Sequence, residues 1–245
     1  MTARVTFATA ARVLRQLRRD PRTVALLFIV PCLLLTLLRY VFDGREETFQ
    51  RIGGPMLGLF PFILMFVITT VAMLRERTSG TLERLMTMPL AKLDLLLGYG
   101  VAFALVAVVQ ATLVSAVGLW LLGLDVAGPV WLVVLLAVAN AVLGMALGLF
   151  ASAFARTEFQ AVQFLPAFVF PQLLLCGLFV PRGQMERVLE LVSYALPLTY
   201  AYDALERTAL LDDVGPRVAV DALVVCGSAV LALALGAATL RRRTS

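Results

Sequence analysis

Apolar runs about as long as a membrane crossing recur along this chain and leave little room for any other kind of fold. A helix rises 1.5 Å per residue, so about twenty apolar residues cover the roughly 30 Å of bilayer hydrocarbon. Because no water reaches the backbone there, a crossing segment satisfies its own hydrogen bonds as a helix. The sequence therefore predicts an all-α polytopic membrane protein with transmembrane helices at six places, residues 24–42, 55–74, 94–122, 130–154, 160–180 and 218–240.

Composition excludes an ordinary soluble domain and also gives an orientation. Hydrophobic residues make up 61% of the chain and charged residues only 15%, whereas charged residues are about a quarter of a soluble domain. Roughly two thirds of the 21 lysine and arginine residues fall on the side that carries both termini in a six-helix topology. The positive-inside rule then predicts cytoplasmic N- and C-termini, and it explains the net charge of +5 without a nucleic-acid partner.

Residues 1–23 are predicted to form an amphipathic helix ahead of the first span. One helical face is apolar and the opposite face is basic, with Phe7, Ala10, Leu14 and Leu17 on the first and Arg4, Arg12, Arg15 and Arg19 on the second. Such a helix lies in the headgroup layer, where its arginines reach anionic lipid. The alternative is a cytoplasmic tail that only follows the positive-inside rule.

A polar stretch of about twenty residues separates the second and third apolar runs. Within residues 75–92, Leu82, Leu85 and Met86 recur at helical spacing around charged residues, and Pro89 ends any helix that forms. The pattern predicts a short amphipathic helix on the basic side of the membrane, suited to contact another protein. The alternative is a helix that only lies at the membrane surface.

Small and polar residues in the fourth span share one helical face. They recur every four residues, as Asn140, Gly144, Gly148 and Ser152. Small residues at this spacing let two helices approach closely, so we interpret the face as a packing seam, within the subunit or between subunits. A substrate-lining role is the alternative.

The neutral polar residues inside the spans are candidates to line a transport path. They are Gln110, Asn140, Gln163 and Gln172, and each has an interhelical hydrogen bond as its alternative role. Pro166 and Pro171 predict a kinked fifth helix, whose glutamines should face the protein interior because amides are costly in lipid.

The longest loop, residues 181–217, carries two amphipathic patterns joined at Pro197. Tyrosines at 194, 200 and 202 suit the depth of the membrane interface. The loop is predicted to form an external helical hairpin that lies on or dips into the membrane, with a plain folded extracellular cap as the alternative.

Absent residue types exclude several chemistries. With no histidine, the chain cannot build a histidine zinc site or a Ser–His dyad, and with one lysine and no G-x-x-x-x-G-K-[ST] it has no phosphate-binding loop of that kind. No metal or cofactor is therefore predicted, and any ATP must bind another polypeptide. Acidic residues fall at span ends, which argues against an ion-coupled secondary transporter. Besides a transporter that uses a separate ATPase and one that is coupled to ions, a membrane scaffold without an ATPase is a third possibility.

Two stretches resemble motifs of one transporter family. RERTSGTLERLMTMPLAKLDLLLG resembles the signature between the second and third spans of ABC-2-type transporter permeases, and GLFVPRGQMERVLELVSYALPLTYAYDALER resembles that family's motif before the last span. The resemblance implies a cytoplasmic coupling helix at residues 75–92 and external helices, marked by Pro197, Leu198, Thr199 and Tyr200, that re-enter the membrane. It also places the ATPase contact at Thr81, Leu82, Glu83, Arg84 and Leu85, with Glu76 and Arg77 at its edge.

The resemblance further implies a function and partners. It implies a non-enzymatic permease of a bacterial plasma-membrane exporter, closest to the branch that exports drugs and lipids. Two permease copies, identical or related, would meet around a central path, and two ATPase subunits would hold the ATP and Mg²⁺. The apolar spans favour an amphipathic or lipid-like substrate, and export of a polysaccharide or lipid-linked glycan is the alternative.

Overall fold

The computed structural model describes residues 3–79, 92–211 and 214–239. The regular structure in these residues is helical, which confirms the predicted all-α membrane class. The helices are α1 (Ala3–Arg18), α2 (Pro21–Val41), α3 (Glu46–Thr78), α4 (Lys92–Ala116), α5 (Val130–Ala151), α6 (Glu158–Phe164), α7 (Phe170–Leu175), α8 (Arg187–Ser193), α9 (Pro197–Leu211) and α10 (Pro216–Thr239). The predicted contact residues from Thr81 to Leu85 lie outside the described residues.

Five helices in the described part of the chain are long and apolar enough to cross a membrane, namely α2, α3, α4 with its extension to Leu121, α5 and α10. The predicted loop at residues 43–54 is wrong over most of its length, because α3 already begins at Glu46. Its first turn carries Glu46 and Glu47, which interact favourably with the positive end of the helix dipole. Burial of Phe49 and Gly53 holds this polar first part of α3 against the bundle.

The fifth apolar run is helical from Glu158 to Leu175, in three consecutive pieces. A π-helical turn, Leu165–Val169, joins α6 to α7, and the helix ends at Leu175, five residues before the predicted end. Proline has no backbone donor, so Pro166 and Pro171 each remove one bond of the regular helical ladder. Gly177, at φ 111°, then turns the chain in a conformation that suits only glycine.

The prediction that both glutamines in this run face the protein interior is wrong for one of them. Gln172 is buried, whereas Gln163 is exposed. Nine residues separate the two side chains, which is two and a half turns at 3.6 residues per turn. A regular helix would therefore already place them on opposite faces, and one of them had to point outward.

The bundle is built around α3, which packs most closely on α5. Gly144 and Gly148 of α5 lie directly on the backbone of α3 at Phe62 and Phe66. The hydroxyls of Thr69 and Thr70 on α3 donate across this contact to the carbonyl oxygens of Met145 at 3.2 Å and Gly148 at 3.1 Å. The other side of α5 packs on α10, and α1 lies against α4, where Gly98 faces Thr9.

The two ends of the bundle differ. At one end, here called the α1 end, α1 packs beside the last turn of α3 and the first turns of α4. At the other, the hairpin end, α9 packs on α3, α5 and α10. The loop before α5 donates to α9 from Ala127 N to Ala209 O at 2.8 Å and from Gly128 N to Thr208 O at 3.1 Å. Tyr202, predicted at interface depth, is buried with its ring beside Gly177, and α9 is thus part of the bundle core.

Candidate functional site

Three helices meet at the α1 end, on both sides of the segment predicted to contact an ATPase. We call the residues just before and just after that segment its two roots. Glu76 lies in the last turn of α3, just before that segment, and Tyr99 lies in the second turn of α4, just after it. Arg12 reaches both from the middle of α1. We call Arg12, Glu76 and Tyr99 the root cluster.

The geometry of the root cluster joins all three side chains. Nη2 of Arg12 donates to the Tyr99 hydroxyl and lies 3.6 Å from Oε2 of Glu76, and the Arg12 guanidinium carbon lies 5.6 Å from the centre of the Tyr99 ring. Tyr99 is buried, and the side chains of Glu76 and Arg12 are 13% and 27% exposed. Charge-assisted contacts at such burial are stronger than surface ion pairs, so the cluster ties α1 to the ends of both flanking helices.

Arg77, the second predicted edge residue, directly follows Glu76 in α3 and is half-buried. Its Nε and Nη2 have no hydrogen-bond partner within the part of the chain that the structure describes. Glu76 Oε2 and Arg12 Nε likewise lack hydrogen bonds there, although the ion pair at 3.6 Å partly compensates their charges. Polar atoms without hydrogen bonds to the described residues are therefore concentrated at the edge of the predicted ATPase contact. A buried guanidinium group is costly when it has no acceptors.

A second, more exposed contact ties α3 to α6 at the same end. Arg75 donates to Glu158 from Nε at 2.7 Å and from Nη2 at 3.0 Å, in the two-point geometry that guanidinium and carboxylate groups favour. These hydrogen bonds hold the pKa of Glu158 below its usual range. Both side chains are more than half exposed, so solvent screens the pair.

Removing this pair should have only a small effect. We expect Glu158→Gln to lower the free energy of unfolding by at most about 1 kcal/mol at neutral pH. Because the carboxyl pKa is lowered in the folded state, the contribution is present above the unfolded pKa and is lost as pH falls through the folded pKa. Thermal unfolding of the detergent-solubilised protein across that range measures the difference. A gap between wild type and variant that widens on acidification would contradict the assignment.

The candidate path-lining residues lie in different surroundings. Gln110 is fully buried and donates from Nε2 to the Leu27 carbonyl oxygen at 2.7 Å, so it links α4 to α2. Gln172 donates to the Phe168 carbonyl oxygen at 3.0 Å and accepts from the Leu198 amide at 3.4 Å. Gln163 points away from the bundle on α6. The described residues do not bring these side chains together around one path.

Asn140 differs from Gln110 and Gln172, whose side-chain amides each make at least one hydrogen bond. Its side chain is fully buried against Gly58 of α3 and Leu205 of α9, yet neither amide atom has a hydrogen-bond partner among the described residues. Gly144, Gly148 and Ser152 continue the same face toward the α1 end, with the Ser152 hydroxyl donating to the Leu149 carbonyl oxygen at 2.6 Å. The face thus packs on α3 within this chain.

A charged cluster at the hairpin end had not been anticipated from the sequence. Asp203 of α9 is 8% exposed and accepts from Arg182 at 2.7 Å, while Arg207 lies 3.5 Å and Arg217 3.8 Å away. Asp221, in the second turn of α10, is also buried. Only the four-residue spacing of Asp203 and Arg207 was visible in the sequence, because Arg182 and Arg217 lie on other elements.

Asp203 is expected to stabilise the hairpin strongly. Asp203→Asn leaves three arginines around a neutral amide, and we expect it to cost about 2–3 kcal/mol of unfolding free energy. Thermal unfolding in detergent, compared with the exposed Asp125→Asn at the same end, measures the loss. Equal melting temperatures for the two variants would show that solvent already neutralises the cluster.

The hairpin residues of the P-L-T-Y stretch open α9. Pro197 occupies the first helical position, where its missing donor costs nothing. Leu198 and Thr199 are buried, and the half-exposed Tyr200 donates from its hydroxyl to the Tyr194 carbonyl oxygen at 2.8 Å.

Within the described residues, no group of three His, Cys, Asp or Glu side chains is arranged to hold a metal ion.

Comparison with known proteins gives a consistent set of relatives. A family model described as ABC-2 type transporter matches residues 4–209. The probable multidrug ABC transporter permease YbhR of Escherichia coli (strain K12) is 28% identical over 157 residues, which cover 64% of this chain and 43% of YbhR. The linearmycin resistance permease protein LnrN of Bacillus subtilis (strain 168) is 25% identical over 206 residues, covering 81% of this chain and 50% of LnrN. The chain thus spans about half the length of the curated relatives it matches.

Proposed function

Because the chain belongs to the ABC-2 type transporter family, we propose that it is the membrane-spanning permease of a bacterial ATP-driven exporter. In this proposal a separate ATPase docks on residues 81–85 and supplies the ATP and Mg²⁺, and this chain performs no hydrolysis. The observation that carries the proposal is the root cluster. It joins α1 to both of the helices that flank the proposed docking segment. Such a connection is needed if the motion of a docked partner is to reach the helix bundle.

Closure of the ATPase pair would move the docking segment as a rigid body. Glu76 and Tyr99 lie at its two roots, so α3 and α4 would move together with α1 and not slide past it. The close packing of α3 on α5 would carry the movement to the fourth span, because tightly packed helices shift as units. The proposed topology places both termini and the α1 end in the cytoplasm and the hairpin end outside.

A second permease copy is part of the proposal. Gln163 is exposed on α6, next to Val162 and one turn after Phe159, which are 46% and 72% exposed. An amide facing hydrocarbon is costly, whereas the same amide at a contact between two permeases finds polar partners. The outward face of α6 is therefore the face on which a second copy would sit.

The relatives and the apolar spans support a proposal for the substrate class. One relative is a probable multidrug permease and another a linearmycin resistance permease, and the five candidate spans of the described residues are strongly apolar. We propose an amphipathic or lipid-like substrate, such as a drug, an antibiotic or a lipid. Bacterial plasma membrane is the proposed location.

Co-purification tests the ATPase partner. The tagged chain, solubilised in a mild detergent from its native host, should carry an ATP-hydrolysing subunit, and Leu85→Asp should reduce that subunit at least tenfold by breaking an apolar contact. Leu189→Asp, at an exposed position of the hairpin, provides the matched control and should leave the complex intact. An ATPase absent from the wild-type preparation, or equally abundant with both variants, would contradict the proposal.

A further inference from the structure

A groove opens at the α1 end among α1, α2, α3 and α4. Its volume is about 440 Å³, within the range of roughly 300–1,000 Å³ typical of small-molecule sites. Val67 and Val71 of α3, Phe103 of α4 and Leu26 of α2 line its apolar part. Leu26 is 60% exposed, so the groove borders the surface that α2 presents to lipid. We call it the α1 groove.

The α1 groove is polar at one end only. Asp20, Arg75 and Glu76 line it at the end of the bundle, whereas Val67 and Val71 lie one to two helical turns deeper along α3. At 5.4 Å per turn, the change from polar to apolar lining occurs over the depth of a headgroup layer. An amphipathic molecule fits this gradient, with its head beside the charged residues and its tail along α3 toward the bilayer centre.

The charges at the rim favour a cationic head. The Asp20 carboxylate accepts from Thr23 N at 3.2 Å and from the Thr23 hydroxyl at 2.6 Å, and these bonds hold its pKa below the usual range, so it stays ionised. Glu76 Oε2 is buried without a hydrogen bond among the described residues, and the Arg12 guanidinium lies 3.6 Å from it. Arg75, the cation at this rim, is already held at two points by Glu158. An anionic head would face the ionised Asp20 carboxylate, while the guanidinium groups of Arg75 and Arg12 are already engaged by Glu158 and Glu76.

We propose that the α1 groove is the access site for the exported compound, and that it takes a cationic amphiphile, a protonated amine with an apolar tail, from the adjacent leaflet. This inference rests on the proposed export function and adds a chemical class and a place of capture. Each methylene moved from water into the groove favours binding, while the Asp20 carboxylate selects the sign of the head. The occupant is a single-chain amphiphile and not a bilayer phospholipid, whose phosphate would meet the Asp20 carboxylate.

Direct binding to the intact chain tests the inference. Radiolabelled dodecyltrimethylammonium, below its micellar concentration, is titrated onto the protein in phosphatidylcholine nanodiscs, with empty nanodiscs subtracted. Dodecanoate, which has the same alkyl length and the opposite charge, serves as the second probe. We expect saturable binding of the cation, at least tenfold weaker binding of dodecanoate, and a loss of about tenfold in cation affinity for Asp20→Asn. Asp125→Asn, exposed at the hairpin end, should bind as wild type does.

A variant that fills the groove gives an independent readout. Val71→Trp should abolish cation binding, whereas Val230→Trp, on an exposed position of α10, should not. Wild-type affinity in both Asp20→Asn and Val71→Trp, or equal affinity for the two probes, would overturn the inference. Displacement of the cation by phosphatidylethanolamine in the nanodisc would instead assign the groove to bilayer lipid. Failure of the ATPase co-purification with cation binding intact would reject the export function alone.

Discussion

Gly148→Val should largely abolish accumulation of folded protein, because no side chain fits between α5 and α3 at this position. A Cβ atom at Gly148 would collide with the Phe66 carbonyl oxygen and the Thr69 hydroxyl. The Thr70 hydroxyl also donates to the Gly148 carbonyl oxygen at 3.1 Å, so separating the helices would break that bond as well. Overpacking commonly costs 1–3 kcal/mol, and a clash with backbone lies at the upper end, so we expect a loss of at least about 3 kcal/mol.

Gly227→Val provides a matched control for this prediction. Gly227 lies in the middle of α10, faces outward, and has open space where a Cβ would be added. Both substitutions replace glycine by the same β-branched residue inside a transmembrane helix, so the change in helix propensity is shared. Yield and thermal stability of the monodisperse protein in detergent provide the measurement. Equal behaviour of the two variants would show that α3 and α5 separate easily.

The sequence predicted the α5 side of the contact between α3 and α5, but not its α3 side. The four-residue spacing from Asn140 to Ser152 identifies the face of α5, because small residues on one helical stripe leave a visible pattern. Its partner on α3 is not visible in the same way, since Phe62 and Phe66 contribute backbone and not a distinctive side chain. Hydropathy located the spans for a similar reason: crossing a membrane is a local property of twenty residues.

Helix ends and polar clusters were harder to predict, for physical reasons. Residues 46–51 include the charged Glu46, Glu47 and Arg51 and were assigned to a loop. A helix can nevertheless extend beyond the hydrocarbon when one face, here Phe49, is buried. The arginines around Asp203 come from three separate elements, and 87 residues separate Arg12 from Tyr99. No periodicity in the sequence connects such residues, because only the folded chain brings them together.

Tyr99→Phe should reduce transport by roughly tenfold or more while leaving the ATPase bound. The substitution keeps the ring that fills the space beside Arg12 and removes only the hydroxyl that accepts from its Nη2. A hydrogen bond to a charged group contributes about 1.5–3 kcal/mol, and 1.4 kcal/mol corresponds to a factor of ten. If the root cluster carries motion from the docked ATPase into the bundle, this free energy is lost from the coupling step.

Three measurements on the same preparation separate coupling from simple destabilisation. Substrate export in proteoliposomes should fall, ATPase co-purification should persist, and ATP hydrolysis should continue without matching transport. Tyr40→Phe, on an exposed position at the hairpin end of α2, should leave all three unchanged. Arg12→Gln should reduce export to a similar extent, and the double variant should lose little more, because both changes break one shared contact. Full export with Tyr99→Phe, or additive losses in the double variant, would mean that α1 follows α3 and α4 through packing alone.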